Sequence, residues 1–216
     1  MHASFRRGMR LGVPFAAVGF LLSMSFGVLA VQTGLTPLQA VAMSALVHAG
    51  SAQFAALSVV GAGGGLVPAV AAAGLMNARF LAMGVAVAPS LPGRPLTRAL
   101  QGQTVVDPSW ALANNGDGTF DHRQLMGSTV PQYAGWISGT VVGVLIGDVL
   151  GDTDRLGLDA VYPTFFLALL LAEVRDPRTR TAAVAGGLLA LLLVPVAPPG
   201  VPILAAGVVA LVALAR

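Results

Sequence analysis

The sequence predicts an all-α protein: a polytopic transmembrane helical bundle of six or seven spans, forming a single membrane domain over residues 1–216. Three observations carry that reading. Only 10% of the residues are charged while 56% are hydrophobic, whereas a soluble domain carries about 25% charged residues. Too little polar surface remains to cover a globule in water, and the mean hydropathy of +0.81 points to lipid as the solvent. Second, Asp, Glu, Lys and Arg are missing from Leu11 to Ala78, from Gln124 to Gly147 and from Thr181 to Ala215, and a crossing helix needs about 20 apolar residues. Third, all 12 basic residues are Arg, gathered in short segments. That pattern reads as membrane topology and contact with anionic lipid in preference to nucleic-acid binding.

The spans follow from punctuation. Residues 1–10 form a basic N-terminus with Arg6, Arg7 and Arg10. In the first helical half, 11–88, the Gly34-Leu35-Thr36-Pro37 turn separates a span near 11–33 from one near 37–60, and the Gly61–Gly65 run separates that from a third near 66–88. A signal peptide is the rival reading of the N-terminus, with Val28-Leu29-Ala30 resembling a cleavage site. The apolar run is long for such a peptide, and further spans follow directly. Residues 89–130 hold Pro89, Pro92, Pro95, Arg94, Arg98, Asp107, Asp117, Asp121 and Arg123, and read as a polar linker with one helix over about 95–113.

The second half, 131–216, contains a fourth span near 128–149, a fifth near 157–174, and two short ones near 179–195 and 200–215, broken by Pro195, Pro198, Pro199 and Pro202. Gly27-Val28-Leu29-Ala30 and Gly143-Val144-Leu145-Ile146 stand 116 residues apart, which suggests two inverted three-helix repeats. Orientation is in conflict. Arg6, Arg7 and Arg10 place the N-terminus inside, yet Arg94 and Arg98 also ask to be inside, and three full crossings before residue 89 cannot satisfy both. Either one segment among 37–88 is re-entrant or the linker helix dips into the membrane.

Polar side chains in hydrocarbon need a partner or a wet cavity. On a continuous second span, Ser44, His48, Ser51 and Ser58 share one face, and Gln53 points elsewhere, beside Gly50 and Ala52. Helix–helix hydrogen bonding explains the serines; His48 and Gln53 are costlier and are candidates to line a path. In the third span, Arg79 follows Asn77 and precedes about ten further apolar residues. A guanidinium there costs about 2.5–3.5 kcal/mol on insertion scales, so it calls for an anion: Asp107, Asp148, Asp159 or a substrate carboxylate. Asp107 also reads as the N-cap of a helix that has Pro108 in its first turn, with Trp110 as an interfacial anchor. Asp159, ahead of Pro163, lies at the start of the fifth span, beside a site where a broken helix would border a transport path.

No phosphate loop is present, the three histidines are scattered, and Cys is absent, which excludes disulfides and thiolate metal sites. No cofactor or metal is expected. An intramembrane hydrolase built on His48 and Ser51 lacks an oxyanion context, and a channel or scaffold leaves Arg79 unexplained.

At these residues the chain resembles the AzlC family, the large subunits of bacterial branched-chain amino-acid exporters. The matching strings are Pro14 to Gly27, His48-Ala49-Gly50-Ser51-Ala52-Gln53-Phe54, Met76-Asn77-Ala78-Arg79-Phe80, Asp107-Pro108-Ser109-Trp110-Ala111-Leu112, and Gly157-Leu158-Asp159 through Pro163. Where the family carries an acidic residue after the linker Asp, this chain has Pro108. The resemblance implies a multi-pass protein of the bacterial inner membrane that exports valine, leucine, isoleucine and methionine with a small AzlD-type membrane subunit. It implies that Arg79, Asn77 and Gln53 bind the amino acid and that His48, Asp107 and Asp159 supply coupling or charge pairing. No enzymatic activity is implied.

Overall fold

The computed structural model describes residues 3–147, 164, 167, 170, 171, 174, 177–198 and 201–214. Its helices are α1 (Ala3–Gln32), α2 (Pro37–Val47), α3 (Gly50–Gly61), α4 (Leu66–Asn77), α5 (Arg79–Val87) running into a single 3₁₀ turn (Ala88–Ser90), α6 (Pro95–Gly102), α7 (Asp107–Ala113), α8 (His122–Gly147), α9 (Pro177–Leu193) and α10 (Val201–Leu214). The described residues are thus all-helical, apart from one isolated β-bridge between Asn114 and Phe120. The fifth expected span, with Asp159 and Pro163, and also Asp148, lies outside the described residues.

The local boundaries have chemical causes. Gly34, at φ 94°, ends α1: its N–H reaches Val31 O and the next N–H, from Leu35, reaches Ala30 O, the paired closure that a left-handed residue after a helix makes possible. Thr36 then caps α2 reciprocally with Gln39, and Pro37 sits in the first turn. Asp121 accepts from the backbone N–H groups of Arg123 and Gln124 at 3.0 and 3.1 Å, which starts α8 at His122, ahead of the expected 128.

Chain contacts gather the residues into two units, Met1–Gly50 with Asn77–Val149, and Ser51–Met76 with Leu150–Arg216. The first is organised around α1 and α8. Methyl groups built on Gly8, Gly12 and Gly27 of α1 would run into backbone of Gln124, Ser128 and Thr140; on Gly127, Gly139 and Gly143 of α8 they would run into the carbonyls of Phe5, Phe20 and Met24. Position numbers rise together on both helices, so α1 and α8 run parallel, backbone against backbone for their whole length. Small residues permit that approach, and in lipid it supplies the packing and weak polar attraction that water-driven collapse supplies elsewhere. The parallel course corrects the expected inversion, because inverted repeats at the 116-residue offset would set α1 and α8 antiparallel.

By length and apolarity one described helix is a clear span, α1, and a second arises if α4 and α5 are taken together. The expected single helices over 37–60 and 66–88 are each interrupted, at His48-Ala49 and at Ala78. α8 is more polar, but it lies along α1 from end to end and buries Ser128, Thr129, Gln132 and Thr140. Each of these donates a hydrogen bond to a carbonyl one turn back, at Leu125, Leu125, Ser128 and Trp136. The linker holds two short helices where one was expected. They close a small apolar cluster of Val87, Leu91, Val105, Ala113, Phe120 and Leu125.

In the second unit, Ala55 and Val59 of α3 pack on Ala69 and Ala72 of α4. Gly186 of α9 faces the Ala206 carbonyl of α10, and Gly207 faces the Leu75 side chain.

Gly143→Val would push a branched side chain into the Met24 carbonyl. It should cost about 1–3 kcal/mol or more, read as a lower unfolding midpoint in detergent, whereas Gly187→Ala, which has open space around it, should leave the midpoint level or raise it.

Candidate functional site

The α4–α5 interruption separates Asn77 from Arg79, and Arg79 opens α5. Its guanidinium Nη2 donates to Asp107 Oδ2 at 2.8 Å, while the same group lies 5.1 Å from the centre of the Phe80 ring. Among the four anions proposed for Arg79, the structure therefore supplies Asp107. The two side chains are 34% and 54% exposed, so the pair is open to its surroundings. A sealed structural strut would be covered; this pair can be reached.

Asp107 is free for Arg79 because another residue takes over the capping. Val106 N–H donates to Ser109 Oγ at 3.0 Å, and Ser109 Oγ in turn donates to Thr104 O at 2.8 Å. Asp107 is the first residue of α7 and makes no cap hydrogen bond. The N-cap reading of Asp107 is corrected accordingly: fully buried Ser109 holds the turn, and the carboxylate points to the cation. Trp110 packs on Phe120 with ring centres 5.1 Å apart, inside the linker cluster.

His48 occupies a different setting. It ends α2 in the left-handed region at φ 43°, ψ 42°, which a side chain other than Gly adopts at a cost of order 1–3 kcal/mol. Beyond it the helical register restarts at Gly50, where the Trp136 ring lies so close that a Cβ would collide with it. The His48 ring meets Tyr133 edge-on at 4.8 Å and Trp136 at 6.5 Å between centres. Its two nitrogens are buried and make no hydrogen bond among the described residues.

The break overturns the expectation of one continuous polar face, since Ser44 and Ser51 stand on opposite sides of a register change. Ser44 instead shares a 2.7 Å hydrogen bond with Thr140. Tyr133 Oη donates to Ala45 O, a carbonyl in the last turn of α2. Neither Tyr133, Trp136 nor Thr140 was singled out from sequence; three polar-tipped residues in a charge-free run were the available signal.

Of the remaining expected site residues, Asn77 is half-buried, and its Oδ1 is buried with no hydrogen-bond partner among the described residues. Gln53, in α3 of the second unit, is fully buried.

An arginine paired at an interruption in an apolar helix, together with interior hydroxyls that satisfy one another, defines a helical membrane protein with a polar site. Comparison with known proteins specifies the kind. The family model described as AzlC protein matches residues 14–150, and the chain belongs to the AzlC family. It is 31% identical over 192 residues to an uncharacterized membrane protein of Archaeoglobus fulgidus, covering 88% of this chain and 84% of that one. It is also 26% identical over 212 residues to the inner membrane protein YgaZ of Escherichia coli, covering 90% and 85%. A Helicobacter pylori membrane protein shares 26% over 162 residues, 73% of this chain and 71% of that one. No solved structure matches. The membrane placement expected from composition therefore holds.

Two outcomes follow from these geometries. Removing only one member of the Arg79–Asp107 pair strands a charge, so Arg79→Gln or Asp107→Asn should each lower thermal stability more than the double variant does, a non-additivity that a double-mutant cycle reads directly.

At the mouth of α8, burial pushes the Asp121 pKa up, but hydrogen bonds from Ser4 and the Gln124 and Arg123 backbone, with the nearby His122, outweigh it and hold the carboxyl below its ordinary value. A lowered folded-state pKa means the stabilisation is complete above the unfolded value of about 3.9 and is lost as pH falls through the folded value. Melting points followed from about pH 6 to pH 3 should fall less steeply for Asp121→Asn than for the unmodified protein.

Proposed function

We propose that this chain is the large subunit of an exporter of branched-chain amino acids: valine, leucine and isoleucine, with methionine as a further substrate. It works with a small AzlD-type membrane subunit and draws on an ion or proton gradient. The six or seven spans expected from the sequence belong to this reading. The observation that carries the reading is the reachable Arg79–Asp107 pair at the break of an apolar helix, in a chain of this family.

The chemistry suits a zwitterion. Arg79 takes the substrate carboxylate, with Asn77 hydrogen-bonding it, and the Asn77 carbonyl oxygen, which has no partner among the described residues, is an acceptor for the ammonium; Gln53 is assigned to substrate binding on family resemblance alone. Asp107 exchanges its bond to Arg79 for one to that ammonium, so the charge count of the site is the same empty and loaded. The branched side chain needs only an apolar lining, which a chain of this composition has in excess. His48, held between two aromatic rings at the α2 break, is assigned a coupling role on family resemblance. Asp159 is assigned a coupling role on family resemblance alone.

The test is counterflow in proteoliposomes with and without the small subunit. Vesicles preloaded with valine should accumulate labelled valine, leucine and isoleucine against a gradient, which a channel cannot do, and should ignore aspartate and lysine. Loss of a charge-assisted hydrogen bond worth about 1.5–3 kcal/mol predicts a roughly ten- to hundredfold weaker apparent affinity for Arg79→Gln. Unchanged counterflow in that variant would remove Arg79 from the site.

A further inference from the structure

The parallel course of α1 and α8 has a topological consequence that also fixes the side from which the site opens. We infer that the Arg79–Asp107 pair and the linker carrying α6 and α7 lie on the same membrane face as the N-terminus, the cytoplasmic face. The proposed site is therefore loaded from the cytoplasm. It follows that only one of the two interrupted helix pairs between Gln32 and His122 crosses the membrane completely. The loading statement rests on the proposed function; the sidedness does not.

Four observations support this, all within the first unit. α1 is a clear span, and α8 follows it in parallel register from Phe5 beside Gly127 to Val28 beside Gly147. Both therefore begin on one face and end on the other. The linker is fastened to the beginning of α8: Thr129 Oγ1 donates to Thr104 O at 2.7 Å, Gln124 Nε2 donates to Leu112 O, and Leu125 packs with Val105 and Ala113. α7, and with it Asp107 and Arg79, is held at the level of residues 124–129, roughly the first 10 Å of a helix about 39 Å long. Arg6, Arg7, Arg10, Arg94, Arg98 and Arg123 collect at this end, with Arg98 bonded to the Ala88 carbonyl. The opposite end, around Gly34–Pro37 and Gly147, carries no charged side chain among the described residues. Arginine in short segments marks the cytoplasmic face.

Starting from that face, α1 crosses once. To begin α8 on the starting face, the chain between must cross an odd number of times. α6 and α7, of 8 and 7 residues, are too short to cross, so full crossing by both interrupted pairs is excluded. α2 accounts for the outer half of the return. It runs antiparallel to α8, with Ser44 beside Thr140 and His48 beside Trp136 and Tyr133, and so descends from the outer face to stop near the midpoint of α8. The conflict between the arginines of the N-terminus and those of the linker disappears with this arrangement.

The absence of Cys in the chain makes the test direct. Asn115→Cys in the linker turn and Leu35→Cys in the α1–α2 turn are reacted with a membrane-impermeant maleimide in intact cells and in inside-out vesicles. Leu100→Cys and Leu38→Cys serve as a second pair in case a variant fails to accumulate. Positions 115 and 100 should label at least tenfold faster in inside-out vesicles, and positions 35 and 38 at least tenfold faster in intact cells. Asp107→Cys should react from the cytoplasmic side. Labelling of position 115 or 100 from outside, or of both members of a pair from one face, would overturn the inference. If the labelling pattern holds while Arg79→Gln transports normally, the sidedness stands and the proposed function fails. If transport needs Arg79 but position 115 labels from outside, the reverse is true.

Discussion

The close approach of α1 and α8 is the constraint on which the rest of the first unit depends. Each glycine removes a Cβ that would strike a backbone carbonyl of the other helix, and the two backbones thereby come near enough to share extended van der Waals contact and weak Cα–H···O attraction. Lipid offers no reward for hiding apolar surface, so this shape fit, repeated at every turn, holds the pair. It is stiff because it leaves no side chains to repack. The interrupted helices are arranged against this stiff pair: α2 by its Ser44–Thr140 and Tyr133–Ala45 bonds, and the linker by Thr129 and Gln124.

Polar groups are distributed by the same logic. The hydroxyls of Ser128, Thr129 and Thr140 and the amide of Gln132 are each returned to a carbonyl one turn earlier. That recycling removes their cost and lets α8 sit in the membrane despite its modest apolarity. Three other polar groups of the apolar helices are placed differently: the His48 ring, the Asn77 oxygen and the Arg79–Asp107 pair. They fall where a helix stops or restarts, which is where backbone hydrogen bonding is already incomplete.

Much of this was legible in the sequence. The absence of charge from Leu11 to Ala78 fixed the solvent, the Gly34–Pro37 turn marked a boundary that the structure places within a residue or two, and the cost of Arg79 in an apolar run demanded an anion that turned out to be Asp107. What stayed hidden were the helix interruptions. His48-Ala49 carries no Pro, and a left-handed histidine leaves no mark in hydropathy; the ring that lies against the restart at Gly50 belongs to Trp136, 88 positions from His48. Ala78 is equally featureless. The parallel sense of α1 and α8 was also out of reach, because the shared Gly-Val-Leu strings state only that two segments are alike and are silent about direction. The capping role read for Asp107 failed because the helix begins one residue earlier than that reading requires: Val106 is the N-cap, and its N–H donates to Ser109.

That division of labour between Ser109 and Asp107 separates two pressures that usually act on one residue. The start of α7 is secured by a hydroxyl buried out of reach, while the acidic group beside it has no part in holding the turn. Alteration at position 107 therefore bears on the charge that a bound molecule meets and leaves the helix boundary intact. Within a lineage built on this scaffold, cargo preference can drift at that position without unmaking the turn, provided the partner cation at position 79 changes with it.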